Sequence, residues 1–377
     1  MEFLATTPLG IEVVTGSELR ELGAYSVEVD VGKVFFKGGE DLVYVSNFML
    51  RTANRVFILL LRDRFKDLRD VGRLAEGVEY HHLIPPNASF AVRAERVGLH
   101  DFTSLDVGRV VGEAVIKSYA SSTGTRLKVD LRRPDVEIYA LVRHDEVILG
   151  VNTTGDSLHR RGYRVYNHPA ALKSTLAAAL VRLSSYDGGG FLDPMCGGGT
   201  IVVEAAHRLR RYPIFIFRRE FAFRRLSIYD PRAEEEVAEV LRSRVREVKD
   251  RIYCIDISSK HLRGARLNAE SGMVSDTVVF RLGDATLSRT YEGVEGVRHV
   301  STNPPYGIRF HNSRKLLKLY EALLTTLSNL FAGCRAAIIT AAVKQFEEAL
   351  GRAGASLVNV LDVMHGGLRA RIYVLNL

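Results

Sequence analysis

The spacing of hydrophobic and polar residues divides the chain into two parts with different predicted elements. In the first part, the predicted strands are 25–30, 33–37, 55–61, 90–97, 127–131, 136–142 and 147–151, and the predicted helices are 11–22, 41–53 and 103–119, with Ser104 as a candidate cap for the last. From residue 170 onwards a helix is followed by alternating strands and helices. That order is typical of a parallel α/β sheet wound on both faces.

These patterns predict an α/β protein with several domains. Two small α+β units are expected at 1–64 and 65–152, and the polar, turn-rich segment 153–169 is expected to be a linker. The doubly wound, Rossmann-like domain is then predicted over 170–377. A length of 377 residues agrees with two or three domains.

Composition excludes some classes of protein. With 46% hydrophobic residues the chain is not disordered as a whole, and it has no apolar run long enough for a transmembrane helix and no recognisable signal peptide. Cys196, Cys254 and Cys334 suggest neither a disulfide framework nor metal-ligand spacing. We therefore expect a cytoplasmic protein without bound metal, in which Cys196 is a small packing residue.

The net charge of +8 is carried by the C-terminal part of the chain. Residues 1–150 contain 19 basic and 22 acidic residues, whereas residues 151–377 contain 33 and 22. A basic surplus is compatible with a polyanionic partner, although many basic proteins bind none.

A glycine-rich turn follows the predicted strand that ends at Asp193, in FLDPMCGGGTIVVEAA (191–206). Glycines let a ligand approach the backbone closely, and ligands of open α/β sheets bind at the carboxyl ends of strands. The GKS or GKT of a phosphate-binding loop is missing, and Asp193 would repel a pyrophosphate. A cationic ligand such as S-adenosylmethionine suits it better, with a plain tight turn as the alternative. The predicted cofactor contacts on this turn are Asp193, Met195, Gly197, Gly199 and Thr200.

Two further acidic residues end later predicted strands. Asp256 closes RIYCIDIS (251–258) and is placed to bind ribose hydroxyls, whereas Asp284 closes another strand. In compact doubly wound folds the ribose-binding acid follows the glycine turn by about 20 residues. Here the larger gap implies an insertion, which we assign to 208–250. For both acids, a capping role at a strand end is the alternative.

The sequence HVSTNPPYGIRF (299–310) carries the strongest chemical signal in the chain. After a predicted strand, two prolines remove two backbone donors, and the Asn303 amide oxygen and the Pro304 carbonyl are left as acceptors. Two acceptors that converge on one point suit an exocyclic NH2 group and direct its lone pair toward an electrophilic methyl group. Tyr306 is predicted to stack on the base. The alternative is a Pro-Pro turn after a buried strand.

Taken together, these motifs resemble a known family. Residues 157–377 resemble class I S-adenosylmethionine-dependent methyltransferases with the NPPY signature, which modify amines. LHRRGYR (158–164) and the helix that follows resemble the opening segment of RNA-directed members with a THUMP domain. FAVRAERVGLHDFTSLDVGRVVGEAV (90–115) is similar to THUMP itself, and residues 3–64 resemble the ferredoxin-like domain before it. The resemblance thus implies ferredoxin-like, THUMP and Rossmann-like methyltransferase domains.

Within this family the chain resembles in particular the tRNA guanine-N2 methyltransferases that act in the acceptor stem, at position 6. The resemblance implies S-adenosylmethionine as cofactor, tRNA as partner with its 3′ end held by THUMP, a monomer, and neither membrane nor metal. It further implies that Asp284 and Ala285 contact adenine and that Ile257 and Asn303 belong to the cofactor site.

Other functions stay open at this point. Related enzymes methylate guanine 10, usually with Asp where this chain has Asn303, and large-subunit rRNA enzymes share the domain order. Protein glutamine and DNA adenine methyltransferases also use NPPY, but they do not need a THUMP-like domain. A non-catalytic RNA-binding protein is a further alternative, which the intact motifs oppose.

Several arginines are candidate RNA contacts. The segment RLRRYPIFIFRREFAFRR (208–225), which we call the Arg/Phe segment, combines seven arginines with five aromatic residues. Arginine neutralises phosphate and aromatic rings stack on bases, whereas alternating buried phenylalanines in a strand are the structural alternative. The linker arginines could instead form interdomain ion pairs. The predicted RNA contacts are Arg160, Arg161, Arg164, Arg218 and Arg219.

Overall fold

The computed structural model describes residues 1–248, 250–307 and 313–377, and within them the chain forms two separate β-sheets. The strands of the N-terminal sheet are β1 (Glu2–Thr6), β2 (Tyr25–Asp30), β3 (Lys33–Lys37), β4 (Arg55–Arg64), β5 (Ser89–Val97), β6 (Lys128–Val129), β7 (Val136–Arg143) and β8 (Glu146–Asn152). Its helices are α1 (Glu12–Glu21), α2 (Leu42–Met49), α3 (Leu68–Glu76) and α4 (Ser104–Thr123).

The two predicted N-terminal units share one continuous sheet, with strand order β2-β3-β1-β4-β8-β7-β5-β6. They meet where β4 pairs with β8 in antiparallel register, from Phe57 opposite Asn152 to Arg64 opposite Glu146. Apolar residues of α1 to α4 pack on one face of this sheet in a single core. Because β4 and β8 are paired along their length, the two units are expected to move together as one platform.

A capping box begins α4, and its N-cap is Thr103 rather than the predicted Ser104. The Asp106 carboxylate accepts hydrogen bonds from the Thr103 N–H at 2.8 Å and from its hydroxyl at 2.7 Å. Thr103 Oγ1 in turn accepts one from the Asp106 N–H at 3.3 Å. Ser104 is therefore the first helical residue, because the reciprocal pair needs an acid three residues after the cap.

The second sheet is doubly wound. Its strands are β9 (Phe191–Asp193), β10 (Ile252–Asp256), β11 (Val278–Leu282), β12 (His299–Thr302), β13 (Arg335–Thr340), β14 (Ser356–His365) and β15 (Leu368–Asn376). Its helices are α5 (Ser174–Leu183), α6 (Thr200–Arg210), α7 (Pro231–Ser243), α8 (Ser259–Ser271), α9 (Ser313–Leu330) and α10 (Val343–Leu350). The strand order is β11-β10-β9-β12-β13-β15-β14. The predicted fold class is confirmed.

Two apolar layers cover this sheet. Residues of α5, α6 and α8 pack on one face and residues of α9 and α10 on the other. The strands are parallel except β15, which runs antiparallel to both of its neighbours. The chain order reverses between β9 and β12, and a crevice at such a switch point is where open α/β sheets bind ligands. Among the described residues, no helix is long and apolar enough to cross a membrane.

The Arg/Phe segment packs on the N-terminal part instead of extending the second sheet. It forms short 3-10 turns at Ile214–Ile216 and Ala222–Arg225, so the alternative of a strand was wrong. Its rings are nevertheless in the core: Phe221 and Phe223 surround Phe48 of α2 at centroid distances of 5.2 and 5.8 Å. Edge-to-face packing of this kind joins the insertion firmly to the N-terminal core.

A buried ion network also joins the two parts. Glu204 of α6 accepts hydrogen bonds from Arg51 at 2.9 Å, from Arg161 at 3.1 Å and from the Tyr163 hydroxyl at 2.9 Å. Burial would raise the pKa of Glu204, but Arg161 and Arg51 lower it to about 2. The carboxylate is therefore ionised at neutral pH and is paired on both sides.

Candidate active site

The carboxylate of Asp193 lies buried at the carboxyl end of β9, with only 1% of the residue exposed. Its Oδ1 atom accepts a hydrogen bond from the Met195 N–H at 3.2 Å. No basic side chain in the described part of the chain forms an ion pair with it. Burial raises the pKa of Asp193 to about 7, and the nearby carboxylate of Asp256 contributes to this increase. A cationic ligand would stabilise the ionised form.

Two glycines shape the turn after β9. Gly197 and Gly199 have φ angles of 52° and 75°, in the left-handed region that favours glycine. A Cβ atom at position 199 would stand 2.9 Å from the Cβ of Ala265 in α8, so no side chain fits there. The turn consequently packs closely on α8, with Gly199 buried and Gly197 half-buried. The cofactor contacts predicted for these glycines stay predictions.

The acids predicted from β10 and β11 meet at the same edge of the sheet. Asp256 accepts hydrogen bonds from the Gly197 N–H and the Ser258 N–H, both at 2.8 Å. Its backbone carbonyl accepts one from the Gly283 N–H at 3.0 Å. Asp284 is bound through Oδ1 by the N–H and hydroxyl of Thr286. Both acids thus brace the turns, and each oxygen of Asp256 keeps one lone pair for a ligand hydroxyl.

The other predicted cofactor residues lie around these turns. Ala285 is buried, and its carbonyl accepts a hydrogen bond from Tyr291 at 2.8 Å. Ile257 is 71% exposed, directly after Asp256, where an apolar ligand surface could cover it. Thr200 is less available than predicted, because its hydroxyl accepts a hydrogen bond from Arg164 at 3.2 Å.

A disulfide connects the glycine turn to β10, joining Cys196 to Cys254 across a separation of 58 residues. We expected no disulfide, and this was wrong, although Cys196 is buried in the core as a packing residue would be. Cys254 follows Tyr253 in a strand that pairs with β9, so the fold brings the two cysteines together although no sequence spacing links them. The bond holds the turn against the strand that ends in Asp256, and Cys334 stays a buried free thiol.

The NPPY sequence begins directly after β12, which is parallel to β9 and pairs with it. The Tyr306 hydroxyl donates to Asn303 Oδ1 at 2.5 Å, and burial raises the pKa of Tyr306, so the phenol stays protonated. The ring lies edge-on to His365 at a centroid distance of 6.3 Å. In this structure Tyr306 therefore orients the asparagine amide. Its predicted stacking on a base stays a prediction.

Tyr320 of α9 is a positioning residue that the sequence did not reveal. Its hydroxyl is buried and donates to the carbonyl of Pro305 at 2.8 Å, while it accepts from Thr340 at 2.9 Å. With the Pro305 carbonyl occupied, the carbonyl of Pro304 is the acceptor left beside Asn303. No sequence signal marked Tyr320, because its position in α9 has ordinary helical periodicity.

The end of the linker covers the glycine turn. Asn268 of α8 accepts hydrogen bonds from the N–H groups of Val165 and Tyr166 and donates to the carbonyl of Gly198 at 2.8 Å. The Tyr166 hydroxyl bonds His261 at 2.8 Å, and the His168 ring packs on His261 at 4.2 Å. This group, which we call the linker clamp, encloses one side of the cofactor region.

The five predicted RNA-contacting arginines divide into buried and exposed side chains. Arg161 is 2% exposed and takes part in the Glu204 network, and Arg164 donates to the carbonyl of Leu172 at 2.9 Å. The position of Arg161 agrees with the interdomain ion pair left open by the sequence. Arg164 instead donates to Leu172, Ser174 and Thr200 within the C-terminal part. Arg160 and Arg219 are exposed, and Arg218 is half-buried.

The described part of the chain contains no group of three or more His, Cys, Asp or Glu residues that could hold a metal ion. Asp193, Asp256 and the NPPY turn all lie at the carboxyl edge of one sheet.

Three families match successive parts of the chain. Residues 2–57 match the RlmL ferredoxin-like domain, residues 65–152 match the THUMP domain, and residues 161–371 match the family described as RMKL-like, methyltransferase domain. The last match covers more than half of the chain. The order of the three families is the order that the resemblance of the sequence implied.

The chain also has full-length relatives. It is 38% identical to a protein named tRNA (guanine(6)-N2)-methyltransferase from Methanocaldococcus jannaschii, with 100% of both chains covered. A protein of the same name from Archaeoglobus fulgidus is 36% identical and covers 99% of this chain and 92% of its own. Among solved structures, a possible methylase from Clostridium difficile superposes with a TM-score of 0.87 at 26% identity, over 99% and 97% of the two chains.

Proposed function

The chain belongs to the RMKL-like methyltransferase family that carries a THUMP domain, and we propose that it methylates N2 of guanosine 6 in the acceptor stem of tRNA. Two relatives whose names state that activity, at 36–38% identity over nearly the whole chain, support the proposal. S-adenosylmethionine is the cofactor. We further propose that the enzyme acts as a monomer in the cytoplasm, where its tRNA substrate is found.

One observation carries the proposal: the cofactor acids and the NPPY turn lie at the ends of neighbouring strands. Asp193 ends β9 and Asn303 follows β12, and these two strands pair directly in parallel register. Paired strands lie about 4.8 Å apart. A cationic group held at Asp193 and an amine held at Asn303 are therefore neighbours, as direct transfer between them requires.

The residues around β9 and β10 fit S-adenosylmethionine. The buried Asp193 carboxylate has no cationic partner in the described chain, and the left-handed glycines form a tight turn directly after it. Asp256 offers lone pairs for ribose hydroxyls, and the exposed Ile257 offers an apolar surface beside it. When bound, S-adenosylmethionine supplies the electrophilic methyl group.

Asn303 and Pro304 orient the nucleophile. Their two oxygens accept the two hydrogens of an exocyclic amine, which reduces conjugation of the nitrogen with the ring and directs its lone pair. Tyr306 holds the Asn303 amide from one side, and Tyr320 holds the neighbouring Pro305 carbonyl. Since all these groups are placed before the substrate arrives, positioning and electrostatics lower the barrier.

Labelled methyl transfer tests the function. Unmodified tRNA transcripts with guanosine or adenosine at position 6, and separately rRNA, are incubated with labelled S-adenosylmethionine and digested to nucleosides. We expect N2-methylguanosine only from the transcript with guanosine 6. Equal label in both transcripts would move the target to another position such as guanine 10, and label in rRNA alone would make the ribosome the substrate.

Asn303→Ala separates chemistry from cofactor binding. We expect transfer to be lost while the dissociation constant of S-adenosylmethionine changes by less than about threefold, because Asn303 acts on the amine. Asn359→Ala, an exposed asparagine of β14, is the matched control and keeps full activity. Full activity of Asn303→Ala would refute the assigned role.

A further inference from the structure

A groove of about 780 Å³ lies between the N-terminal sheet, the linker and the Arg/Phe segment. Its wall is made by segments that are far apart in sequence: β4, the loop before β7, the linker and the insertion. The arginines that line it are Arg55, Arg133, Arg160, Arg218, Arg219 and Arg225. The sequence had singled out only three of these, because the groove exists only in the folded chain.

The acidic residues of the groove are mostly occupied. Asp135 accepts hydrogen bonds from the N–H and hydroxyl of Ser89 at 2.8 and 2.7 Å. Glu137 pairs with Arg93, outside the groove, at 2.9 Å, and Asp156 pairs with Arg160 at 3.3 Å. Glu220 is the fourth acid. Six guanidinium groups against four carboxylates leave the groove positive.

Three of the arginines are available to a ligand. Arg133, Arg219 and Arg225 are exposed, and none of them pairs with a carboxylate in the described part of the chain. Arg225 makes only a long hydrogen bond, of 3.5 Å, to the carbonyl of Pro134. These side chains come from two different elements, so they face the groove from two sides.

Arg218 has a different role and braces the groove. It donates to the carbonyls of Thr154 at 2.8 Å, Glu220 at 2.9 Å and Ser157 at 3.3 Å, and its guanidinium lies 5.1 Å from the Phe221 ring centre. Burial lowers its pKa to about 10, so it stays charged at neutral pH. It ties the linker to the Arg/Phe segment and adds positive charge to the groove.

We propose that this groove holds a stretch of RNA sugar–phosphate backbone, with Arg133, Arg219 and Arg225 contacting phosphates. Planar guanidinium groups bind phosphate oxygens in pairs. The walls are polar, and Phe221 is buried beneath them, so a phosphate chain fits better than an apolar peptide. This proposal rests on the proposed function, in which RNA is the substrate. It adds the surface of the protein that holds the RNA.

The groove is also connected to the active site by the chain itself. The linker passes along the groove from Thr154 to Arg160, continues through the buried Arg161 and then forms the linker clamp over the glycine turn. Both ends of this path are hydrogen-bonded to rigid elements. RNA held in the groove would therefore have a fixed position relative to Asn303. That position determines which nucleotide reaches Asn303.

Salt-dependent binding tests the groove. Dissociation constants of unmodified tRNA are measured by fluorescence anisotropy from 0.05 to 0.3 M salt, for the wild type, for each of Arg133→Ala, Arg219→Ala and Arg225→Ala, and for the triple variant. Each phosphate contact is expected to be worth about four- to fivefold in affinity at 0.15 M salt. The triple variant should therefore bind about 100-fold more weakly, with the salt slope smaller by about two to three.

Arg251→Ala is the matched control. Arg251 is exposed and pairs with Glu295 at 3.1 Å, just before β10, at the amino edge of the sheet opposite the active site. Arg251→Ala removes one positive charge, as each single groove substitution does, but it should leave the tRNA affinity and the salt slope unchanged. Thermal melts and S-adenosylmethionine titrations establish that every variant is folded and binds cofactor.

The outcomes separate the groove from the proposed function. If wild-type enzyme makes N2-methylguanosine and the triple variant binds tRNA with the wild-type affinity and slope, the groove proposal is overturned. The groove proposal is also overturned if Arg251→Ala weakens tRNA binding as much as a single groove substitution does. The loss of affinity would then come from the overall charge of the protein. If the wild type instead makes no N2-methylguanosine in tRNA, the proposed function fails, and tRNA binding still decides the groove.

Discussion

The affinity for S-adenosylmethionine is expected to increase steeply with pH up to about 7, because the carboxylate that binds its charge is buried. In the free enzyme the pKa of Asp193 is raised to about 7 by burial, so below that pH the carboxyl group is mostly neutral. A neutral carboxyl group loses the attraction to a cationic ligand. Binding then has to be accompanied by the release of a proton.

The pKa sets the size of the effect. At pH 5, two pH units below the pKa of Asp193, about 1% of the free enzyme carries the charged form, so the dissociation constant should be about 100-fold larger than at pH 8. Between these limits it should change about tenfold per pH unit and level off above pH 7. For comparison, a surface carboxylate with an ordinary pKa near 4 would give an almost flat profile over this range.

Isothermal titration calorimetry between pH 5 and 8.5 measures this profile, and the heats in buffers of different ionisation enthalpy report the released proton. Asp193→Asn should bind weakly and without this slope. His168 is another titratable group near the turn, and burial lowers its pKa, so His168→Gln serves as the second control and should keep the slope. A flat wild-type profile from pH 5 to 8, or an unchanged slope in Asp193→Asn, would refute the reasoning.

Three further predictions concern stability and positioning. Cys254→Ala should lower the free energy of unfolding by about 4 kcal/mol, because Cys196–Cys254 closes a long loop; chemical denaturation with and without reductant measures this, and indifference of the wild type to reductant would contradict it. Glu204→Gln should lower the free energy of unfolding by about 3–5 kcal/mol, since two buried arginines lose their partner. In the wild type, the stabilisation from Glu204 should be present above pH 4.5 and be lost as the pH falls toward 2. Thermal melts measure both effects, and an unchanged melting temperature would argue against this role of Glu204. Tyr320→Phe should lower kcat about tenfold, with unchanged cofactor affinity, because the Pro305 carbonyl loses its hydrogen bond; an unaltered kcat in single-turnover assays would count against a positioning role.

Local chemistry was readable from the sequence. The strands that end at Asp193 and Asp256, the glycine turn and the strand before the NPPY residues were predicted at their positions, because a strand, a turn and a helix start are specified by neighbouring residues. Asp284 was expected to end a strand but lies two residues beyond β11, which ends at Leu282. The alternation of elements after residue 170 likewise predicted the doubly wound sheet. Parallel strands then bring their carboxyl ends to one edge, so even the assembly of the site followed from the order of the elements.

The interpretation of the sequence was wrong where a segment was locally compatible with two structures. The Arg/Phe segment alternates as a strand would, yet Phe215, Phe221 and Phe223 pack around Phe48 near two 3-10 turns, since burial of these rings on the N-terminal core is worth more than an unpaired strand. Arg161 was an RNA candidate by charge alone, but its guanidinium is buried against Glu204. Nothing within a few residues of either position distinguishes the two outcomes.

What the sequence determined by itself was the chemistry of each segment and the class of fold, because these depend on residues next to one another. The tertiary structure alone decided which distant residues meet: the Cys196–Cys254 disulfide, the hydrogen bond from Tyr320 to the proline turn, and the arginine groove. It also joined the two N-terminal units into one sheet through β4 and β8. These contacts are set by packing between surfaces that are far apart along the chain, and local periodicity carries no information about that packing.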